Sequence, residues 1–420
     1  MRWLPVYLYR FVVYPALVLT AHLAALFNET IRFGLRDRYC SIKQLKKFQN
    51  SGKEIVYFHA SSLGEYEHIR PLIYRLGEKY QIVVTFFSPS GYKHAKKQFE
   101  DEQHFYLPFD FYGLWKRLFR KLRPKLVVIS KHDIWANQLF AAKKEGIPTF
   151  LVNASLAKGS SRLNPWYRFF YREAYRSLTG VYTISEEDKE RFEQFFSVTN
   201  IKVAGDTKFD QVLIRKKQAE TKQHIPEQWW AKSLILTLGS IWPEDYQVVL
   251  EPLQTLLQEN AQVKLLMVPH QLHSDFITRM QNDFSPFGVA KFTGTSEHLN
   301  RARVLIIDVV GILAELYQYA QMAYIGGSFK QGIHNVMEAA VYGIPVIYGP
   351  KHKNSFEADK LAREGGAFVI NTSKEFYDVV KRLIGHPQFR AEHGERVRTF
   401  VEKQTGATER LLKEWQKFLN

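Results

Sequence analysis

Four short segments carry residues that could do chemistry. The first is His59-Ala60-Ser61-Ser62-Leu63-Gly64-Glu65. A carboxylate that opens a helix can take a proton from an acceptor hydroxyl. The loop before it, with Ser62 and Gly64, lets an anionic substrate approach backbone N–H groups. Ser62-x-x-Glu65 is also the spacing of a helix capping box, and spacing alone favours the cap. The second segment, residues 326–338, reads Gly-Gly-Ser-Phe-Lys-Gln-Gly-Ile-His-Asn-Val-Met-Glu. A glycine-rich loop followed by a helix starting near Asn335 can hold a phosphate, and Glu338, one turn in, could accept from ribose hydroxyls. A tight turn capped by Asn335 is the plainer alternative. The third is Gly205-Asp206-Thr207-Lys208-Phe209-Asp210, where Lys208 could face a phosphate; a solvated lysine is the commoner case. The fourth is Val268-Pro269-His270, where His270 could touch a nucleotide or simply lie at the surface.

Strands and helices must place these segments. Short apolar runs at residues 55–59, 82–87, 126–129, 149–152 and 180–184 alternate with helical stretches, which indicates parallel βα units. Residues 215–230 break the pattern with a polar, charged stretch. A second series follows at residues 234–239, 264–268, 304–307, 322–326 and 345–348. The expectation is an α/β chain of two Rossmann-like, doubly wound domains facing across a cleft, the GT-B arrangement of glycosyltransferases, preceded by an N-terminal membrane-proximal helix. Its parts would be a membrane-associated segment over 1–40, an acceptor-binding domain over 41–214, a linker over 215–232 and a nucleotide-sugar domain over 233–420. The last helix could pack back on the first domain. The first, second and fourth segments then fall after strands, where open α/β sheets bind ligands at the carboxyl ends, and the third lies just before the linker.

Composition narrows the partners. The chain has 420 residues, 58 Lys and Arg against 42 Asp and Glu, and a formal charge of +16. Such a surplus favours an anionic partner, whether nucleic acid, anionic lipid or phosphorylated substrate, or else serves solubility. The absence of zinc-finger spacing and of an RNA-recognition signature argues against nucleic acid. A lone cysteine, Cys40, rules out an intrachain disulfide and a cysteine-based zinc site. Residues 11–27 carry no Asp, Glu, Lys or Arg over 17 positions, at the short end for a bilayer span of about 20. Pro15 interrupts the run, arginines stand on both sides, and Tyr7, Tyr9 and Tyr14 suit the headgroup level. A helix lying in the interface, a single span, or an apolar helix packed on the core all fit.

Taken in order, the segments resemble the 3-deoxy-D-manno-octulosonic acid (Kdo) transferases of lipopolysaccharide synthesis. The resemblance also rests on Thr85-Phe86-Phe87-Ser88-Pro89-Ser90-Gly91, Asp133-Ile134-Trp135-Ala136-Asn137 and Asn153-Ala154-Ser155-Leu156, and it covers nearly the whole chain. It implies an inverting, metal-independent transfer of Kdo from CMP-Kdo to the lipid A precursor (lipid IVA). The site would be the cytoplasmic face of the inner membrane, against its anionic leaflet, with no cofactor and no nucleic acid. The resemblance places the catalytic base on Glu65 and a stabilising lysine on Lys208. It places the nucleotide contacts on Pro269 and His270, on Val310, Gly311 and Ile312, and on Asn335, Val336, Met337 and Glu338.

Three positions depart from the family pattern. Lys131 stands where the family has a stabilising glutamate, with Asp133 or His132 as a nearby substitute at most. His270 replaces an arginine, keeping a hydrogen bond with less charge at pH 7. Ile312 replaces a glutamate. Two rival readings follow: another GT-B transferase using a UDP-sugar, and a non-catalytic membrane adaptor with a degenerate transferase fold, which the changes at Lys131 and Ile312 would suit. Retention of Glu65, Lys208, Asn335 and Glu338 argues against the adaptor.

Overall fold

The computed structural model describes residues 4–98, 103–295, 299 and 301–420. It contains two compact units. One comprises Met1–Gln211 with Thr405–Asn420, and the other Val212–Gln404.

The first unit is built on seven parallel strands, β1 (Ile55–Ala60), β2 (Gln81–Phe86), β3 (Gln103–Tyr106), β4 (Leu126–Ser130), β5 (Thr149–Ala154), β6 (Gly180–Thr183) and β7 (Ile201–Val203), in the order β3-β2-β1-β4-β5-β6-β7. Successive β1 side chains point to opposite faces. Ile55 and Tyr57 pack with Trp115 and Phe119 on one face. Val56, Phe58 and Ala60 pack with Tyr66, Ile69 and Trp415 on the other. Burial on both faces explains why the central strands are continuous apolar runs. The chain reverses its direction of strand addition between β1 and β4. Residues 405–420 close the first unit: Trp415 stacks on Phe150 with centroids 5.2 Å apart, and Asp210 accepts from the Gly406 and Thr408 N–H groups.

The second unit repeats the plan with β8 (Leu234–Ile241), β9 (Val263–Pro269), β10 (Val289–Lys291), β11 (Val304–Ile306), β12 (Met322–Ile325), β13 (Val346–Tyr348) and β14 (Ala367–Val369), ordered β10-β11-β9-β8-β12-β13-β14, all parallel. Its reversal lies between β8 and β12.

Residues 215–232, expected as the linker, are not without structure: they hold the end of the Lys208–Ala219 helix and the Glu227–Trp230 helix. Trp229 is buried with Ile225 against Leu305 in the second unit, its indole N–H donating to the Ala302 carbonyl at 2.8 Å. Two apolar anchors thus hold a stretch that its charges made look solvated. The N-terminal segment does not end at 40, because the Glu29–Lys47 helix runs on and buries Ser41, Ile42 and Leu45.

Leu4–Ala24 is long and apolar enough to cross a membrane by length and composition. One of its faces is tied to the first unit. The Tyr9 hydroxyl donates to Asp110 at 2.8 Å, Arg10 donates to Asn137 at 2.9 Å, and the Tyr14 hydroxyl accepts from the Asp110 N–H at 2.7 Å. Leu4, Phe11, Leu19 and Leu23 are exposed on the remainder. Tyr9–Val13 is a π-turn directly ahead of Pro15; the wider turn accommodates a residue that has no N–H to donate.

Candidate active site

Glu65 lies in the first turn of the Leu63–Gly77 helix, just past the end of β1. Ser62 is the N-cap, its hydroxyl accepting from the Glu65 N–H at 3.4 Å. The carboxylate reaches back to the Ser61 N–H at 2.7 Å through Oε2, one residue earlier than a standard capping box. Its other oxygen has no hydrogen-bond donor among the described residues. The Glu65 carbonyl accepts from Ser130 at the end of β4 at 3.0 Å. The carboxylate is therefore buried, pinned by one oxygen, and held at the strand reversal. Gly64 leaves the loop open beside it, since a Cβ there would meet nothing closer than Ser62 Oγ at 4.0 Å.

The loop after β4 supplies charge. His59, fully buried, places Nε2 2.8 Å from Asp133 and Nδ1 3.1 Å from the Thr85 carbonyl. Burial raises the Asp133 pKa, but the hydrogen bond and charge of His59 outweigh it and hold Asp133 below the usual carboxylate range. Burial lowers His132, Arg162 and Lys131 push the same way, and Glu65 and Asp133 oppose them. Glu65, Lys131, His132, Asp133 and Arg162 thus share one electrostatic neighbourhood. Lys131 has a left-handed backbone (φ 56°), and its N–H is bonded to the Val152 carbonyl at 2.8 Å.

Lys208 opens the Lys208–Ala219 helix. Asp206 accepts from its N–H at 3.0 Å and lies 3.7 Å from its ammonium. Asp206 also holds His68 at 3.0 Å. Burial raises the Asp206 pKa, yet His68 and Lys208 carry it down to about 2. Thr207 hydrogen-bonds the carbonyl of His68. His68 and Glu65, three residues apart, lie on one helix face, so the Lys208 loop is fastened to the helix that carries Glu65.

In the second unit the strand reversal is organised by Asp245, fully buried. It accepts from the Gly327 N–H at 2.7 Å, the Trp242 N–H at 3.0 Å and the Tyr324 hydroxyl at 2.9 Å. Glycine is required at 326, where a Cβ would come within 2.2 Å of the Ser240 carbonyl oxygen. Over this junction three rings stack. His270 lies 4.3 Å from Trp242 and 4.4 Å from His334, centroid to centroid. The Trp242 indole N–H donates to His334 Nε2 at 2.8 Å. That bond leaves the His334 proton on Nδ1. Burial, then the neighbouring His270, lowers the His334 pKa to about 4, and burial lowers His270. Pro269 ends β9, and the His270 N–H bonds the Ile241 carbonyl at 2.9 Å.

Other expected donor contacts are placed differently. No extended helix starts at Asn335: only Met337–Ala340 is helical, so the helix dipole there is small. Asn335 instead caps the turn, its carbonyl oxygen accepting from the Met337 N–H at 3.1 Å. Glu338 pairs with Arg215 at 3.3 Å. Val336 and Met337 are buried in the core. After β11, Val310 is exposed and Gly311 sits at φ 93° with open space around it, but Ile312 packs on the cluster of Ile225 and Trp229. No hydrogen bond or ring contact among the described residues joins Val310, Gly311 or Ile312 to the three-ring stack. Sequence reasoning missed Trp242, Asp245 and His334 as site residues. Trp242-Pro-Glu-Asp245 directly after a strand was the available signal.

Residues 32–211 match the family model described as 3-deoxy-D-manno-octulosonic-acid transferase (kdotransferase). The 3-deoxy-D-manno-octulosonic acid transferase of Chlamydia trachomatis is 27% identical over 391 residues, covering 89% of this chain and 86% of the relative. That of Aquifex aeolicus is 28% identical over 358 residues, covering 84% and 92%. The chain is thus similar to Kdo transferases over most of its length, which supports a glycosyltransferase of lipopolysaccharide biosynthesis. Its two parallel seven-stranded sheets are those of the GT-B fold. The UDP-GlcNAc 2-epimerase of Neisseria meningitidis shares that fold with a TM-score of 0.62 at 14% identity, covering 87% of this chain and all of that chain. A glycosyltransferase from Rickettsia africae gives 0.53 at 12%, covering 88% and 99%.

Proposed function

We propose that this protein is a Kdo transferase that moves Kdo from CMP-Kdo to the lipid A precursor, with Glu65 as the general base. The observation that carries the reading is the Glu65 carboxylate. One oxygen is fixed by the Ser61 N–H and the other is open, on a buried side chain at the strand reversal where α/β sheets bind ligands. Glu65 removes the proton of the attacking hydroxyl as the bond to the anomeric carbon forms and the CMP phosphate departs. Lys208 supplies positive charge to that phosphate. No metal or cofactor takes part, so chelators leave turnover unchanged. His270, with the Nδ1–H of His334 beside it, offers neutral donors to the CMP group. Glu338, which also accepts from Arg215 and Asn335, accepts from the ribose hydroxyls. Lys131 acts with Arg162 as a cationic wall near Glu65, in place of the family's glutamate.

The N-terminal helix, tied down on one face and apolar on the other, lies in the cytoplasmic leaflet of the inner membrane. The net positive charge faces anionic headgroups and the phosphates of the acceptor.

Glu65→Gln tests the base. The amide oxygen can still accept from Ser61, so the loop keeps its shape. Turnover should fall by about 10²–10⁴-fold, the contribution of a positioned base, with CMP-Kdo binding intact by calorimetry. Near-normal turnover in the Gln variant would remove Glu65 from the mechanism.

A further inference from the structure

A cavity of about 420 Å³ opens beside the N-terminal helices, a volume within the range of small-molecule sites. The Leu4–Ala24 stretch contributes Tyr14 and Ala21 to it, the Glu29–Lys47 helix contributes Gly34, and the strand-end loops contribute Phe87, Phe109 and Trp135. Apart from Thr30 and Arg38, its walls are apolar or aromatic.

The polar groups here lack partners. The Arg38 guanidinium lies over the rings of Phe87 and Phe109, at 5.0 and 5.5 Å from their centroids. Among the described residues it has no carboxylate within ion-pair distance; Asp133 acts on it from farther away. The hydroxyl of Tyr106, another wall residue, is buried without a hydrogen-bond partner among the described residues. A cation and a hydroxyl donor at an apolar pocket match an amphiphile whose chain fills the cavity and whose acidic group meets Arg38.

The pocket wall is also linked to the Glu65 loop. Phe87 is followed by Ser88, whose N–H bonds the Ser61 carbonyl at 2.8 Å, and Ser61 in turn bonds the Glu65 carboxylate. On the other wall, Trp135 stacks with Phe87 at 5.3 Å and stands two residues after Asp133, the partner of His59. The cavity wall is therefore coupled, through two hydrogen bonds of the Ser61 backbone, to the loop that carries the base.

We infer that this cavity is the acyl-chain site for the acceptor lipid, with Arg38 set against one of its phosphates. This rests on the acceptor proposed above. It adds a wall built partly by the N-terminal helices, which then select the acceptor as well as attach the protein to the bilayer.

Gly34→Phe tests it. Gly34 is helical, and a Cβ there meets nothing within 4 Å, so the ring enters the cavity without a clash in the fold, and helix propensity improves. With the acylated lipid A precursor, KM should rise at least about tenfold, since displacing two methylenes already suffices for that factor. With the fully deacylated precursor, kcat/KM should stay within about twofold of wild type. Gly113→Ala, at a helical glycine outside the cavity with open space for a Cβ, should leave both acceptors unchanged, and Ala21→Phe, from the Leu4–Ala24 stretch, should repeat the Gly34→Phe pattern. Equal effects on the two acceptors, or none on either, would overturn the site. A precursor with a photoreactive acyl chain gives a readout independent of turnover. Crosslinks should map to the cavity walls in wild type and vanish in Gly34→Phe. Crosslinks there without any Kdo transfer would keep the pocket and reject the proposed reaction. Transfer with crosslinks elsewhere would reject the pocket alone.

Discussion

Asp206→Asn isolates the charge that fixes Lys208. The substitution keeps the shape of the side chain and an oxygen for the Lys208 N–H, and removes only the negative charge facing His68 and the lysine ammonium. The magnitude follows from the pKa. Asp206 is lowered from 3.8 to about 2 in the folded protein. At 1.36 kcal/mol per pH unit, the fold therefore favours the ionised form by roughly 2–3 kcal/mol. The desolvation cost is already inside that figure, because burial alone raises the pKa. The folded value lies below the unfolded one, so the stabilisation is complete above pH 3.8 and disappears as pH falls through about 2. At pH 7, Asp206→Asn should cost the first unit about 2–3 kcal/mol, or about 5–10 °C in the midpoint of its unfolding transition. Urea unfolding at unchanged m-value would give the same loss as a lower midpoint. In the pH 2–4 window the difference between the two proteins should shrink. A loss below about 0.5 kcal/mol at pH 7, or one that does not shrink in acid, would refute the account of Asp206 as a charged clamp.

Three other outcomes are expected. Gly326→Ala forces a methyl to within 2.2 Å of the Ser240 carbonyl oxygen and should destabilise the second unit by about 1–3 kcal/mol or more; differential scanning calorimetry should show its transition shifting down and that of the first unit unmoved. Trp242→Phe keeps a ring on His270 but removes the N–H bonded to His334 Nε2, so the Nε2-protonated tautomer of His334 should become populated in NMR of labelled histidine, while burial and His270 still hold its pKa below the ordinary histidine value. Phe11→Asp with Leu19→Asp places charges on the exposed face of the N-terminal helix and should weaken binding to anionic vesicles by at least about tenfold in a flotation assay, with unchanged melting.

Much of this architecture was legible in the sequence, and what was missed follows a physical pattern. The ten apolar runs at residues 55–348 all correspond to strands. The four strands without such a run, β3, β7, β10 and β14, are the outer strands of the two sheets. Each is only three or four residues long and partly exposed. An edge strand has a neighbour on one side only and needs no long apolar run, so periodicity has little to register. The polar stretch at 215–232 misled for the opposite reason: its exposed charges outnumber the two residues, Ile225 and Trp229, that bury it.

The candidate sites divide in the same way. Glu65, Ser62 and Gly64 could be read locally because a strand end, a cap and a carboxylate fall within seven residues. The donor-side stack could not, because Trp242, His270 and His334 come from three separated stretches that only the order β9-β8-β12 makes neighbours. Asp245 shows what that order requires. One buried carboxylate accepts from the backbone at the end of β8, the backbone after β12 and the Tyr324 hydroxyl, so a single side chain fixes where both loops begin. In each unit the candidate site sits where the sheet reverses, because there adjacent strands send their loops to opposite faces and leave backbone N–H groups with no strand to bond. The first unit meets that opening with the Glu65 carboxylate, and the second with two neutral histidines. On the proposed reaction, that difference suits a hydroxyl that must lose a proton in the one and a nucleotide that must be held without being protonated in the other.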